Sequence, residues 1–204
     1  MSRYTGPKVK KLRALGVDLP GLSRKTMDKR PYPPGQHGQS SSQRRRVSEY
    51  KQQLMEKQKV RINYGLTERQ LRTLVEQARR SKVATGDKLV ELLERRLDNV
   101  VFRGGFAPTI PAARQLVNHG HFLVDGRKVD IPSLRVDRGA VITPRPKSVK
   151  MPVIQETLPR PPLQRPDWLS FDAPSLSVTV ANLPTMDHIP FPFEVQLIIE
   201  HYAK

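Results

Sequence analysis

Cysteine is absent from the chain, which excludes disulfides and thiolate zinc sites. Aromatic residues occupy only 6% of the 204 positions. No aromatic string of the kind that stacks bases on a sheet is present, so stacking is not the expected mode of RNA contact. No apolar run approaches the roughly 20 residues that a membrane helix needs. The first eleven residues are basic, yet no apolar stretch follows them, so they do not read as a secretory signal. A cytosolic protein with no membrane partner is the expectation. Glycine loops of the Walker type and nucleophile-elbow strings are missing as well, which removes the commonest routes to an enzymatic reading.

What the chain does have is positive charge. Lys and Arg number 36 against 19 Asp and Glu, a formal net charge of +17. Residues 1–64 hold 16 basic against 4 acidic side chains, residues 65–150 hold 17 against 9, and residues 151–204 hold 3 against 6. Cations clustered in this way gain free energy on a polyanion, because its condensed counterions are released. The charge asymmetry assigns the first part of the chain to nucleic acid and the last part to something else.

Pro and Gly punctuate residues 1–46, and Arg44, Arg45 and Arg46 close them, so an irregular, extended basic segment is predicted there. Helix formers follow from Ser48 to Arg61. Thr67 and Gln70 have capping-box spacing, and Leu71, Leu74, Val75 and Ala78 make one apolar stripe. Gly86-Asp87 opens a third helix, expected to contain Leu89, Leu92, Leu93 and Leu97. Thr109 and Pro111 then start a short helix to Asn118, which Gly120 stops. Asp125-Gly126 is a hairpin turn between residues 121–124 and 127–129, and a second strand pair is expected at 134–136 and 141–143. Seven prolines between Pro144 and Pro166 predict an extended loop. Val195, Ile198, Ile199 and Tyr202 have helical spacing in the tail.

Several strings occur together: Ser2-Arg3-Tyr4-Thr5-Gly6-Pro7; Pro34-Gly35-Gln36-His37-Gly38; Tyr64-Gly65-Leu66-Thr67-Glu68-Arg69-Gln70; Leu93-Glu94-Arg95-Arg96-Leu97-Asp98-Asn99; Ala113-Arg114-Gln115-Leu116-Val117-Asn118-His119-Gly120-His121; and Ile199-Glu200-His201-Tyr202-Ala203-Lys204. In order and nearly end to end they resemble the bacterial and organellar family of small-ribosomal-subunit protein four. The missing cysteine cluster makes the resemblance one to its zinc-free form. The resemblance implies an α+β fold. A mostly helical domain over 47–93 is completed by 167–204. A small RNA-binding domain, two helices plus a twisted antiparallel sheet, is inserted with its Pro-rich connection over 94–166. Residues 1–46 form the basic extended N-terminal segment.

The resemblance further implies a structural, non-catalytic protein of the small subunit, located in cytoplasmic or plastid ribosomes. Its implied partners are the five-prime domain of small-subunit rRNA, messenger RNA (mRNA) where it enters the ribosome, and small-subunit protein five. Its implied roles are nucleating assembly and supporting translational accuracy. The residues expected to meet RNA are Arg3, Tyr4, Lys8, Lys10, Lys11, Arg44, Arg45, Arg46, Lys57, Lys59, Arg61, Arg69, Arg114, Gln115, His119, His121 and Lys128. Arg114 and Gln115 are expected to point outward from a helix whose apolar face is Leu116 and Val117. His119 and His121 lack further ligands nearby in sequence, so neither a metal nor another cofactor is expected. Arg96-Leu97-Asp98 resembles the nucleophile string of pseudouridine synthases. The downstream Thr-Ser-Gly of those enzymes is absent, so Asp98 is expected to pair with an arginine or cap a helix.

Overall fold

The computed structural model describes residues 4–39 and 48–203. In chain order the helices are α1 (Lys8–Leu15), α2 (Glu49–Asn63), α3 (Glu68–Arg79), α4 (Thr85–Glu94), α5 (Leu97–Arg103), α6 (Ile110–Asn118), α7 (Pro152–Thr157) and α8 (Val195–His201). The strands are β1 (Phe122–Val124), β2 (Arg127–Val129), β3 (Val141–Pro144), β4 (Leu169–Asp172) and β5 (Ser177–Val180). Two compact units result, Met1–Gly86 with Pro190–Lys204, and Asp87–Ile189.

The first unit contains α1, α2, α3 and α8. Ser48 caps α2 by accepting from the Lys51 N–H at 3.4 Å. The capping box of α3 is complete: Gln70 accepts from the Thr67 N–H at 3.0 Å, and Thr67 accepts from the Gln70 N–H at 3.3 Å. The stripe Leu71, Leu74, Val75 and Ala78 is buried as its spacing predicts. Helix α8 is held at its end by Arg79, which donates to the Ile199 carbonyl at 2.8 Å and the Tyr202 carbonyl at 3.2 Å. The Tyr202 hydroxyl donates to Glu68 at 2.7 Å.

The extended N-terminal segment needs correction. Residues 8–15 are helical, and Leu12, Leu15, Leu19 and Leu22 are buried. Gly16, at φ +67°, ends the helix by donating to the Leu12 carbonyl at 2.8 Å. Asn63, itself buried, accepts from the Gly21 N–H at 2.9 Å. Arg13 donates to the Tyr32 and Pro33 carbonyls at 2.9 and 3.3 Å. Four leucines among the prolines supply apolar burial that offsets the ordering entropy. The expectation for Arg44, Arg45 and Arg46 lies outside the described residues, as does that for Arg3.

The second unit is one antiparallel sheet, in the order β2-β1-β3-β5-β4, with helices α5 and α6 packed together. Asp125 (φ +48°) and Gly126 (φ +76°) make the predicted hairpin turn. Alternation sorts the faces: Phe122, Ile142, Leu169, Val178 and Val180 are buried, whereas Lys128 is exposed. Strands β4 and β5 belong to this sheet through the β3–β5 pairing Ile142↔Val178. Residues 167–189 therefore contribute strands to this unit rather than completing the helical one, and by compactness the units divide after Gly86 and Ile189. Short strands separated by a Ser-containing turn carry little periodic signal, and the sequence alone does not mark them.

Two further expectations change. The helix predicted through Leu97 breaks at Arg95-Arg96, where Arg96 is extended and bridges Arg135. The Leu97 and Asp98 N–H groups donate to the Leu134 and Pro132 carbonyls at 2.8 and 3.1 Å. Residues 134–136 thus pair with this break and not with 141–143. The Pro-rich connection is not wholly extended: Pro146–Ser148 form a 3₁₀ turn, and Pro152 occupies the first position of α7, where its missing N–H costs nothing. Replacement of Leu12, fully buried, tests the corrected N-terminal segment. Leu12→Ala is expected to lower stability by about 2–5 kcal/mol in chemical denaturation, and an unchanged midpoint would contradict the packing.

Candidate nucleic-acid interface

At the centre of the second unit lies a carboxylate with no exposure to water. Asp98 is 0% exposed, and Arg96 is buried beside it. Arg96 grips it with two parallel bonds, Nε to Oδ1 at 3.1 Å and Nη2 to Oδ2 at 3.0 Å. Arg114, on α6, reaches the same Oδ2 through Nε at 3.0 Å and Nη2 at 2.6 Å. The Asn99 N–H supplies a further bond to Oδ1 at 3.0 Å. A buried carboxylate is tolerated because every lone pair is met by a charged or backbone donor. Two guanidinium groups share one carboxylate, so the cluster retains a net positive charge.

The outward projection expected of Arg114 is therefore corrected. Its side chain is only 22% exposed and ties α6 to the start of α5. Gln115 and His119, one and five positions further along, are exposed as expected. Thr109 caps this helix by accepting from the Ala112 N–H at 3.4 Å, and the Gly120 N–H closes it on the Val117 carbonyl at 2.7 Å. Gly120, at φ +68°, is crossed by Lys128: a Cβ there would collide with Lys128 Cε and lie 3.3 Å from Nζ. His119 and His121 stand with ring centroids 6.0 Å apart, and His121 Nδ1 meets Ser148 Oγ at 2.9 Å. Arg145 donates to the Gly120 carbonyl at 3.3 Å. The structure thus gathers Gln115, His119, His121 and Lys128 around one turn and adds Arg145, which sequence reasoning missed. Its only signal is position: Pro144, the preceding residue, pairs with Phe122 across β1 and β3.

Expected contacts in the first unit divide into two groups. Lys8, Lys10, Lys11 and Tyr4 sit on or before α1, with Lys11 Nζ 3.8 Å from the centre of the Tyr4 ring. Burial, and then the neighbouring charge of Arg61, lowers the pKa of Lys11. Arg69 is exposed on α3. Lys57, by contrast, is buried and paired with Glu68 at 3.0 Å, so it is not on an open surface. Lys59 pairs with Glu56 at 2.5 Å, and Arg61 donates to Gln58 at 2.9 Å with Glu68 at 4.0 Å. Lys59 finds its acid three residues earlier on the same helix, whereas Lys57 and Arg61 meet Glu68 of α3, a compensation that counting charges along the chain overlooks. Among the described residues no cluster of His, Asp or Glu could hold a metal ion.

Asp98→Ala removes the carboxylate that Arg96 and Arg114 share and is expected to cost about 3–5 kcal/mol. In Arg114→Ala, Arg96 still holds the carboxylate, so the loss is expected to be about 1–3 kcal/mol. Urea unfolding of both variants checks the order, and an Arg114→Ala protein as stable as the parent would return Arg114 to a purely surface role.

Residues 3–94 match the family model described as the ribosomal protein S4/S9 N-terminal domain, and residues 95–142 match that of the S4 domain. The small ribosomal subunit protein uS4 of Methylobacillus flagellatus is 55% identical over 204 residues, covering all of this chain and 99% of that protein. Protein uS4B of Nitrosomonas europaea shows the same identity and coverage, and uS4 of Streptococcus pyogenes serotype M49 is 51% identical over 205 residues, again across 100% of this chain and 99% of its own. With full-length identity at this level and both domain models in order, the chain belongs to the uS4 family of small-ribosomal-subunit proteins, a structural and non-enzymatic family.

Proposed function

We propose that the chain is a structural, rRNA-binding component of the small ribosomal subunit that binds the five-prime domain of the rRNA early and nucleates its assembly. The observation that carries this reading is the turn around Gly120, where Lys128, Arg145 and two histidines converge on a backbone that Gln115 flanks. Cations and amide groups arranged over a tight turn suit phosphate oxygens, and the scarcity of aromatic side chains turns recognition toward the shape of folded RNA. The cluster of Arg96, Asp98 and Arg114 fixes the helix that presents them and adds a net charge of the same sign. Lys8, Lys10 and Lys11 of α1, Lys10 the most open of them, and Arg69 form the contribution of the first unit. The ribosome, in the cytoplasm or in a plastid, is the site of action.

Finer roles follow from the division of charge. Arg44, Arg45 and Arg46 repel one another unless an anion is near, which fits mRNA where it enters the ribosome. The tail carries more acid than base, and α8 packs on α2. That surface fits a protein neighbour, small-subunit protein five, and a part in translational accuracy.

Binding of a five-prime-domain transcript is expected to weaken steeply with salt. Neutralising about five to eight phosphates gives a slope of log K against log salt of roughly −4 to −7, and a slope near −1 would point instead to apolar or stacking contact. In cells, alanine at all three of Arg44, Arg45 and Arg46 is expected to slow translation through structured messages. Tyr202→Phe, which removes the bond to Glu68, is expected to raise misreading. Paired hairpin and miscoding reporters separate the two, and equal effects of both variants on one reporter would refute the division.

A further inference from the structure

The groups around Gly120 include two imidazoles, and their neighbours are cations. His119 ends α6 and His121 precedes β1, with ring centroids 6.0 Å apart. Lys128 reaches over Gly120 from β2, and Arg145 reaches its carbonyl from the residue after β3. Ser148, in the 3₁₀ turn, is a neutral partner of His121 at 2.9 Å. Asp125, the acid of the hairpin, turns to the Val141 N–H at 2.8 Å. Among the described residues no carboxylate forms an ion pair with Lys128, Arg145 or either histidine.

We propose that His119, His121, Lys128 and Arg145 form a phosphate subsite that takes up a proton when it is occupied. This rests on the RNA-binding reading above and adds a linkage to it. Without an anion, four cationic or cation-forming groups share one small surface, so a further positive charge on His121 is disfavoured. Burial is the first cause that lowers the pKa of His121, followed by the nearby His119 and Arg145. A phosphate oxygen placed among them reverses the local field and supplies a charged acceptor, so an imidazole gains its second N–H and donates it. The ligand chemistry is a phosphate oxyanion, and either an RNA phosphodiester or free inorganic phosphate could provide it.

The sign follows from linkage. Because the bound state holds more protons than the free state, affinity rises as pH falls. At fixed ionic strength, affinity of the full chain for a five-prime-domain transcript is expected to rise about three- to thirty-fold between about pH 8 and about pH 6. H119Q/H121Q keeps amide donors at both positions and is expected to bind with a flat profile. Calorimetry of the unaltered chain in two buffers of different ionisation enthalpy gives a second measure that needs no variant, with an uptake of about half a proton or more expected near pH 6.5. Inorganic phosphate that competes with the transcript more strongly at low pH would show that an isolated oxyanion suffices; phosphate without effect would assign the site to the RNA backbone, still with proton uptake. Binding without pH dependence or proton uptake would overturn the subsite while leaving the RNA reading intact. The same pH dependence in H119Q/H121Q would also overturn it, and a transcript that fails to bind at any pH would overturn both.

Discussion

Burying a carboxylate away from water costs several kcal/mol unless cations and hydrogen-bond donors replace the lost hydration, and the second unit is arranged around meeting that demand at Asp98. Arg96 can reach it only because the backbone is extended there, which is where the expected long helix separates into α4 and α5. The extended residues in turn find carbonyl partners in 132–136, so that loop is drawn against the break and away from β3. Arg114 supplies the remaining cation, and its bond fixes the rotation of α6 about its own axis. Once that rotation is set, Gln115 and His119 face water while Leu116 and Val117 are buried.

A chain with so much positive charge divides its cations between two uses. Some are matched internally: Lys57 with Glu68, Lys59 with Glu56, and Arg95 with Glu91 at 2.6 Å and with Asp137. Partial burial works to raise the pKa of Glu68 and Glu91, yet hydrogen bonds from Tyr202 and Lys57 to the first, and from Lys88 and Arg95 to the second, hold both below the usual carboxylate range. These pairs support the fold and add little charge to the surface. Others, among them Lys10 on α1, Arg69 on α3 and Lys128 beside Gly120, are exposed.

Local chemistry was legible in the sequence wherever one residue type has one use. Thr67 with Gln70, and Thr109, cap the helices they were expected to cap, and Asp125-Gly126 turns the hairpin. The exposed basic surface was legible only in part, because it depends on which cations have partners. Arg114 and Lys57 look like any other basic residue until Asp98 and Glu68 are brought to them through the fold. Strands β4 and β5 were hidden for a different reason: they are short, and their pairing with β3 spans the Pro-rich connection. Four leucines near the N-terminus were outweighed by the prolines and cations among them.

The first unit is discontinuous, made of residues before Gly86 and after Ile189, and Gly86 itself packs against Val195 so closely that a side chain there would force α8 to shift. Synthesis proceeds from the N-terminus, so the continuous unit from Asp87 to Ile189 emerges whole while its discontinuous companion still lacks α8. Helices α2 and α3 must wait, with the surface that α8 will cover exposed, until α8 leaves the exit tunnel. Non-local closure of this kind is slow relative to folding of a continuous segment. The order of folding is thus written into the connectivity: the sheet can mature while α8 is still to come, and the helical unit is sealed only once α8 has emerged.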